Sequence, residues 1–278
     1  MSKNHTRIGI VAPGARMDEA IIEGASAIAS QFGASASLHF HPQCFERAGH
    51  FAGTDEVRAQ AFLDIANDPS FDALWIGRGG YGAARILPFV LPHLTEAARA
   101  KTYLGYSDAG SLLGALYGAG FPHIAHGPMP ADIKREGGGA AVKRGLSWLI
   151  DRAADAVEPG LKRGEKYAAF NIVILSHLIG TPWQPDLKDH IVLIEDIAEY
   201  TYRTDRDLCH ITSNEKFRRA AGIRLGRVSE VPDNIIDFGQ TEEEVARHWC
   251  ARAGIEYLGR ADIGHDAENR VVPFGVFV

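Results

Sequence analysis

Three side chains stand where a hydrolytic serine, its base and an orienting acid could come from. Ser107 lies in Leu104-Gly-Tyr-Ser-Asp-Ala109, where a short apolar run hands over directly to a helical pattern continuing through Tyr117. A serine on a sharp strand-to-helix corner exposes its hydroxyl beside the N–H groups of a helix start, which is what a nucleophile elbow requires. Ser107 and Asp108 are equally residues that favour the helix N-cap, and G-x-S-x-A lacks the final glycine of the usual elbow. Serine attacks only when a base takes its proton and an acid orients that base. Glu195, beside Asp196, closes the apolar run His190-Ile-Val-Leu-Ile194, and His265 sits in Gly264-His-Asp266 before the last apolar run. Ser, acid, His is a chain order that triads use. The plainer roles for these two are a helix-start or ion-paired carboxylate and an exposed loop histidine.

A second candidate is the turn Gly77-Arg-Gly-Gly-Tyr-Gly82, which fits G-x-G-x-x-G between an apolar run and a helical pattern. A dinucleotide would suit it, but the motif follows the third expected strand, and the next strand ends in Gly105-Tyr106 with no acid for a ribose. The other readings are a cramped turn that needs glycine, or backbone N–H groups aimed at an anion or oxyanion. His39 and His41 share a strand face and His123 and His126 are closely spaced, yet no matching cysteine or acidic set accompanies them, so no metal is expected. Trp75 and Trp148 fall on apolar faces and read as core. Trp183, in Gly180-Thr-Pro-Trp-Gln-Pro185, either lines a pocket or packs.

These residues need a scaffold, and the pattern supplies one. Strands are expected at Arg7–Pro13, Ser37–His41, Asp72–Ile76 and Thr102–Tyr106, with helices between them at Met17–Phe32, Asp55–Ala66 and Tyr81–Leu87, the last ended by Pro88. Such alternation implies a parallel sheet covered by helices, because parallel neighbours need a crossover. A helix is expected around Val142–Ile150, and Glu158-Pro-Gly-Leu-Lys-Arg-Gly164 concentrates turn and charged residues. This places a doubly wound α/β domain at 1–157, a linker at 158–167 and a smaller α/β or β-rich domain at 168–278. In the second half, helices are expected at Ile172–His177, Lys216–Ala221 and Thr241–Ala253, and strands at His190–Ile194, Gly222–Val228, Ile255–Gly259 and Val271–Val278.

Composition narrows the classes. With 278 residues, 46% hydrophobic and 23% charged, the chain can bury a sizeable core, and its net charge of −6 opposes phosphate-backbone binding, so nucleic acid is not an expected partner. Three scattered cysteines, Cys44, Cys209 and Cys250, signal neither a disulfide framework nor a zinc site. The first apolar stretch, Ile8–Ala12, is too short for a signal peptide and no segment approaches a membrane span, so a cytoplasmic protein without membrane contact is expected.

Taken together, Val11-Ala-Pro13, Arg78-Gly-Gly-Tyr-Gly82, Gly105-Tyr-Ser-Asp108, His126-Gly-Pro-Met129, Gly180-Thr-Pro182, Leu193-Ile-Glu-Asp196 with Tyr202 and Asp205-Arg206, and Gly264-His265 resemble, in order, the LD-carboxypeptidase family of serine peptidases, which includes the microcin C immunity peptidases. Where members tend to carry Gly-Gly-Asn-Leu, this chain has Ala169-Phe-Asn-Ile172. The resemblance implies Ser107 as nucleophile, His265 as base and Glu195 as its orienting acid, with an oxyanion hole of backbone N–H groups from Gly79, Gly80 and Asp108. It also implies a Rossmann-like N-terminal α/β domain, a smaller C-terminal α/β domain of barrel-like character, a site between the domains, a homodimer, no cofactor, and a murein peptide trimmed of its terminal D-alanine during cell-wall recycling. An exopeptidase must also bind a terminal carboxylate, for which Arg78 and Arg206 are candidates unless they serve structural ion pairs, with Tyr81 and Trp183 as further contacts. The alternatives are hydrolysis of a peptidyl-nucleotide toxin, and a small-molecule or dinucleotide binding protein in which Ser107 is only a cap.

Overall fold

Residues 5–278 are described in a computed structural model of the chain. The first half alternates β1 (Thr6–Val11), α1 (Ala20–Ser30), β2 (Ala36–Phe40), α2 (Asp55–Asn67), β3 (Ala73–Ile76), α3 (Ala83–Val90), α4 (Glu96–Arg99), β4 (Thr102–Gly105), α5 (Gly110–Gly118), β5 (Ile124–His126) and α6 (Gly138–Asp151). Their strands pair in parallel in the order β2-β1-β3-β4-β5. Strands β3, β4 and β5 are buried throughout, as strands covered on both faces must be. Side chains alternate between the two faces: Ile10, Trp75 and Leu104 enter one apolar cluster, while Val11, Ile76 and Tyr103 enter the other. Ligands in such sheets bind beyond the carboxyl ends of the strands. The Gly77–Gly82 turn and Ser107 follow the ends of β3 and β4 respectively.

The second half contains β6 (Lys166–Asn171), α7 (Ile172–Leu178), β7 (His190–Ile197), α8 (Thr201–Ser213), β8 (Gly222–Ser229), α9 (Glu242–Ala253), β9 (Tyr257–Arg260), β10 (Val272–Pro273) and β11 (Gly275–Val276). A second sheet runs β11-β6-β7-β8-β9, parallel except for β11. This sheet is open, and no closed barrel occurs among the described residues, in contrast to the barrel-like character expected. One apolar cluster draws from both sheets, with Leu74 and Tyr103 joined to Ala168, Val192 and Leu225.

Several elements differ from expectation. Strand β6 begins inside 158–167, where the sequence predicts a linker. The sequence pattern does not signal helix α8, because its buried stripe is only Thr204, Leu208, Ile211 and Thr212 among charged neighbours. The helix expected at Lys216–Ala221 is a single 3-10 turn, Phe217–Arg219. Helix α3 begins after Gly82, whose φ of 143° is closed to other residues, and runs through Pro88, which removes one amide without ending it. The last expected strand splits at Phe274: β10 joins the first sheet antiparallel to β5, and β11 joins the second antiparallel to β6.

Candidate active site

Ser107 has φ 61°, left-handed backbone that a non-glycine residue holds only under constraint, at a cost of about 1–3 kcal/mol. Extended Tyr106 precedes it, and a 3-10 turn, Ser107–Ala109, leads into α5. Neither Ser107 nor Asp108 caps this helix with its side chain. The Asp108 carboxylate instead accepts the Ala83 N–H at the start of α3 (2.7 Å), tying the serine corner to the glycine turn. Burial pushes this carboxyl up to about 6 against the amide hydrogen bonds that favour its charge.

Glu195 is wholly buried near the end of β7, where the register with β8 shifts between Ile194 and Asp196. Gly226 of β8 allows the approach, since a Cβ there would lie 2.6 Å from the Ile263 carbonyl and 3.0 Å from the Glu195 Cβ. Glu195 Oε2 meets His265 Nδ1 at 2.6 Å. Burial is the largest influence on the His265 pKa and pushes it down, but the charge and hydrogen bond of Glu195 together overcome it and raise the value. His265 Nε2 is buried without a hydrogen-bond partner among the described residues.

The loop carrying His265 is fixed from below. Asn269 Oδ1 accepts the Gly264 N–H (3.2 Å) and bonds His126 Nε2 (3.1 Å) at the end of β5. Burial pushes His126 down to about 4, so near neutral pH its ring is uncharged. The Tyr106 ring lies between them, 5.6 Å from the His126 ring and 4.9 Å from that of His265.

Ser107, His265, Gly79 and Gly80 line one cavity of about 450 Å³, together with Arg78, Tyr106, Asp132 and Arg135. A Cβ on Gly79 would stand 3.0 Å from Ser107 Oγ, tighter than an ordinary contact, so glycine here gives the hydroxyl room. Across the turn, a Cβ on Gly14 would overlap the Gly80 carbonyl at 1.9 Å, which shows how closely the loop after β1 packs here. Arg58, wholly buried on α2, holds both loops: its Nη1 donates to the carbonyls of Pro13 and Gly82, and its Nη2 pairs with Asp55. Arg58 from the carbonyl side and Asp108 from the amide side therefore pin the turn facing Ser107.

The remaining expected contacts fall elsewhere. Tyr81 is exposed beside His50 and Phe51, Trp183 packs on the apolar core, and Arg206 lies exposed over the Tyr202 ring; none lines the cavity. His39 packs on Phe71, His41 pairs with Asp64 (3.4 Å), and His123 lines a separate groove near the C-terminal strand. Arg58, Asp132, Arg135 and Asn269 were missed from the sequence. Arg58 alone carried a signal, a cation sharing the apolar face of Phe62 and Ile65 at helical spacing.

Residues 8–127 match the family model of the LD-carboxypeptidase N-terminal domain, and residues 167–278 match that of the C-terminal domain. A putative carboxypeptidase of Synechocystis sp. is 32% identical over 82% of this chain and 76% of its own length. The chain belongs to the LD-carboxypeptidase family. Membership makes it a serine-type LD-carboxypeptidase, a peptide hydrolase. The murein tetrapeptide carboxypeptidase of Pseudomonas aeruginosa is 26% identical over 97% of this chain and 91% of its own. The crystal structure of the muramoyltetrapeptide carboxypeptidase of Oxalobacter formigenes shares the fold, with a TM-score of 0.80 at 23% identity, covering 97% of this chain and 93% of that one.

Proposed function

We propose that the protein removes the terminal D-alanine from murein tetrapeptide, in the cytoplasm and during peptidoglycan recycling, through a Ser107–His265–Glu195 acyl-enzyme mechanism. The observation carrying this reading is the 2.6 Å Glu195–His265 contact in the wall of the cavity that holds left-handed Ser107. Glu195 fixes Nδ1 as the protonated nitrogen, leaving Nε2 as the base. Ser107 Oγ attacks the carbonyl carbon of the L,D bond as Nε2 takes its proton. The carbonyl oxygen becomes an oxyanion held by N–H groups of Asp108 and the Gly79–Gly80 turn, where one such donor is worth about 3–4 kcal/mol. The C–N bond then breaks, Nε2 returns the proton to the departing D-alanine nitrogen, and a water activated in the same way releases the acyl group. Serine and imidazole being within hydrogen-bond reach only once substrate is bound is common in such sites.

The name of the Pseudomonas relative supports the murein substrate. Homodimerisation and the cytoplasmic recycling role rest on the resemblance alone. No helix among the described residues is long and apolar enough to cross a membrane. Treatment with an active-serine phosphonate should leave one adduct on Ser107, and D-alanine should be released from the tetrapeptide. Ser107→Ala and His265→Ala should each abolish most turnover, and the double variant should lose little more, since the two act as a unit. Near-native turnover by Ser107→Ala would refute the mechanism. Labelling of Ser107 without D-alanine release, with cleavage of a peptidyl-nucleotide instead, would turn the reading to a toxin hydrolase.

A further inference from the structure

Two arginines border the cavity, and they are fastened to different parts of it. Arg135 is built into the catalytic wall. Its Nε donates to Asp132 Oδ1 (3.1 Å), which also accepts the Tyr106 hydroxyl (2.6 Å), while Asp132 Oδ2 accepts the Met129 N–H (2.8 Å). Tyr106 directly precedes Ser107, and its ring is in contact with that of His265. These links put the Arg135 guanidinium on the His265 side, where its charge opposes protonation of the imidazole.

Arg78 is anchored the other way, with Nη1 donating to the Arg16 carbonyl (2.9 Å). Together with Asp18 and Lys134, which also line the first, it lines a second, neighbouring cleft of about 460 Å³ that reaches Arg16 and Phe45. Asp18 pairs with Lys134 (2.7 Å) as Asp132 pairs with Arg135 (3.1 Å), while Arg16 and Arg78 have no ion pair among the described residues.

Acyl-transfer chemistry gives these two walls different tasks. The imidazole that accepts the serine proton must hand it to the leaving nitrogen, so the departing residue lies on the His265 side of the attacked carbonyl. In a carboxypeptidase substrate the terminal carboxylate is two bonds from that nitrogen. We infer that Arg135 is the specificity-determining residue that receives this terminal carboxylate, and that the acyl chain leaves past Arg78 into the cleft at Arg16. The inference rests on the LD-carboxypeptidase reading. It also defines the substrate class more narrowly: a peptide with a free carboxylate on the leaving D-residue and a second anionic group on the acyl side, facing Arg78 and Arg16. A guanidinium held at one edge by Asp132 presents a fork that suits a carboxylate, and its half-buried setting strengthens the bond.

The test compares kcat/KM for the tetrapeptide ending in D-alanine with that for its C-terminal amide, in the wild type and in Arg135→Met, Arg135→Lys and Arg78→Met. Arg135→Met should shrink the acid-to-amide ratio by about tenfold or more, as expected for losing a charged hydrogen-bond partner. Arg135→Lys, which keeps the charge but not the fork, should fall between. Arg78→Met should raise KM for both peptides while leaving their ratio near that of the wild type. An unchanged ratio in Arg135→Met, or a collapse confined to Arg78→Met, overturns the inference while the carboxypeptidase reading stands. If the wild type releases no D-alanine from the acid, that reading fails and takes the inference with it. Phosphonate labelling of Ser107 reports an intact site in each variant. Should Arg135→Met not be labelled, Arg135→Lys decides, and a wild-type ratio there overturns the inference.

Discussion

At the scale of single residues, the proposed base is set by two opposed influences. Burial alone would lower the His265 pKa and leave a weak base, but the carboxylate 2.6 Å from Nδ1 reverses the shift. Only neutral His265 can take the Ser107 proton, so kcat/KM should fall as pH drops through the raised pKa, with a midpoint above the ordinary 6.5. Glu195→Gln removes the charge but leaves the burial. Its acid limb should therefore shift to lower pH while its plateau drops, by analogy with the loss of about four orders of magnitude when a triad carboxylate becomes an amide. A kcat/KM–pH profile of both proteins checks this, and an unmoved limb would separate Glu195 from the titration. Ser107, Glu195 and His265 were legible because each follows or precedes an apolar run, where strand ends lie. Arg135 and Asn269 were not, because a polar residue in a loop has no periodicity to give it away, and its role exists only once distant loops meet.

At the scale of elements, the site depends on a turn that glycine alone permits and that two buried charges hold. The sequence supports three readings of Gly77–Gly82, and the proposed mechanism uses the oxyanion one. A Cβ on Gly79 would already crowd Ser107, and the turn is pinned by Arg58 and Asp108, an arrangement that suits an oxyanion better than a cofactor. Gly79→Ala would push a methyl to 3.0 Å from Ser107 Oγ. The backbone N–H remains, so displacement of the serine or of the turn should drop kcat by up to about 10²–10³, the range for losing one oxyanion donor outright, with a smaller change in KM. Arg58→Met should lower kcat in the same sense by releasing the Pro13 and Gly82 carbonyls, and should also destabilise the fold. Steady-state kinetics with D-alanine release reads both, and a pure KM effect in Gly79→Ala would mean the turn binds substrate without serving the transition state. The alternating first half was readable from apolar runs bounded by Gly and Pro. Helix α8 and strand β6 were not, because their buried positions are few or hidden beside a charged, turn-rich segment.

At the scale of the whole molecule, the segment proposed as a linker is a joint. Glu158 is buried and forms a two-pronged pair with Arg224 of β8 (Nη1–Oε2 2.8 Å, Nη2–Oε1 2.9 Å). Its carboxylate also accepts the amides of Gly160 and Asp262, and its own amide donates to Val271, just before β10 returns to the first sheet. Charged and turn-forming residues here read as an interdomain connection, yet the Glu158 charge is taken up by a partner 66 residues away, which no local pattern can show. Glu195 and His265 come from the second half and Ser107 from the first, so a rigid joint is what keeps the proposed triad in register. Glu158→Ala would leave the Arg224 guanidinium with only the Arg260 carbonyl and two amides without acceptors, and breaking a buried pair in this way costs about 3–5 kcal/mol. Trp75 and Trp148 report on the first half, and Trp183 and Trp249 on the second. Urea unfolding followed by tryptophan fluorescence and by far-UV circular dichroism should therefore give one coincident transition in the wild type, because both sheets share an apolar cluster. The Glu158→Ala transition should move to lower urea by an amount matching that loss. A change within about 0.5 kcal/mol, the range for an ordinary surface site, would mean the segment is a passive connection after all.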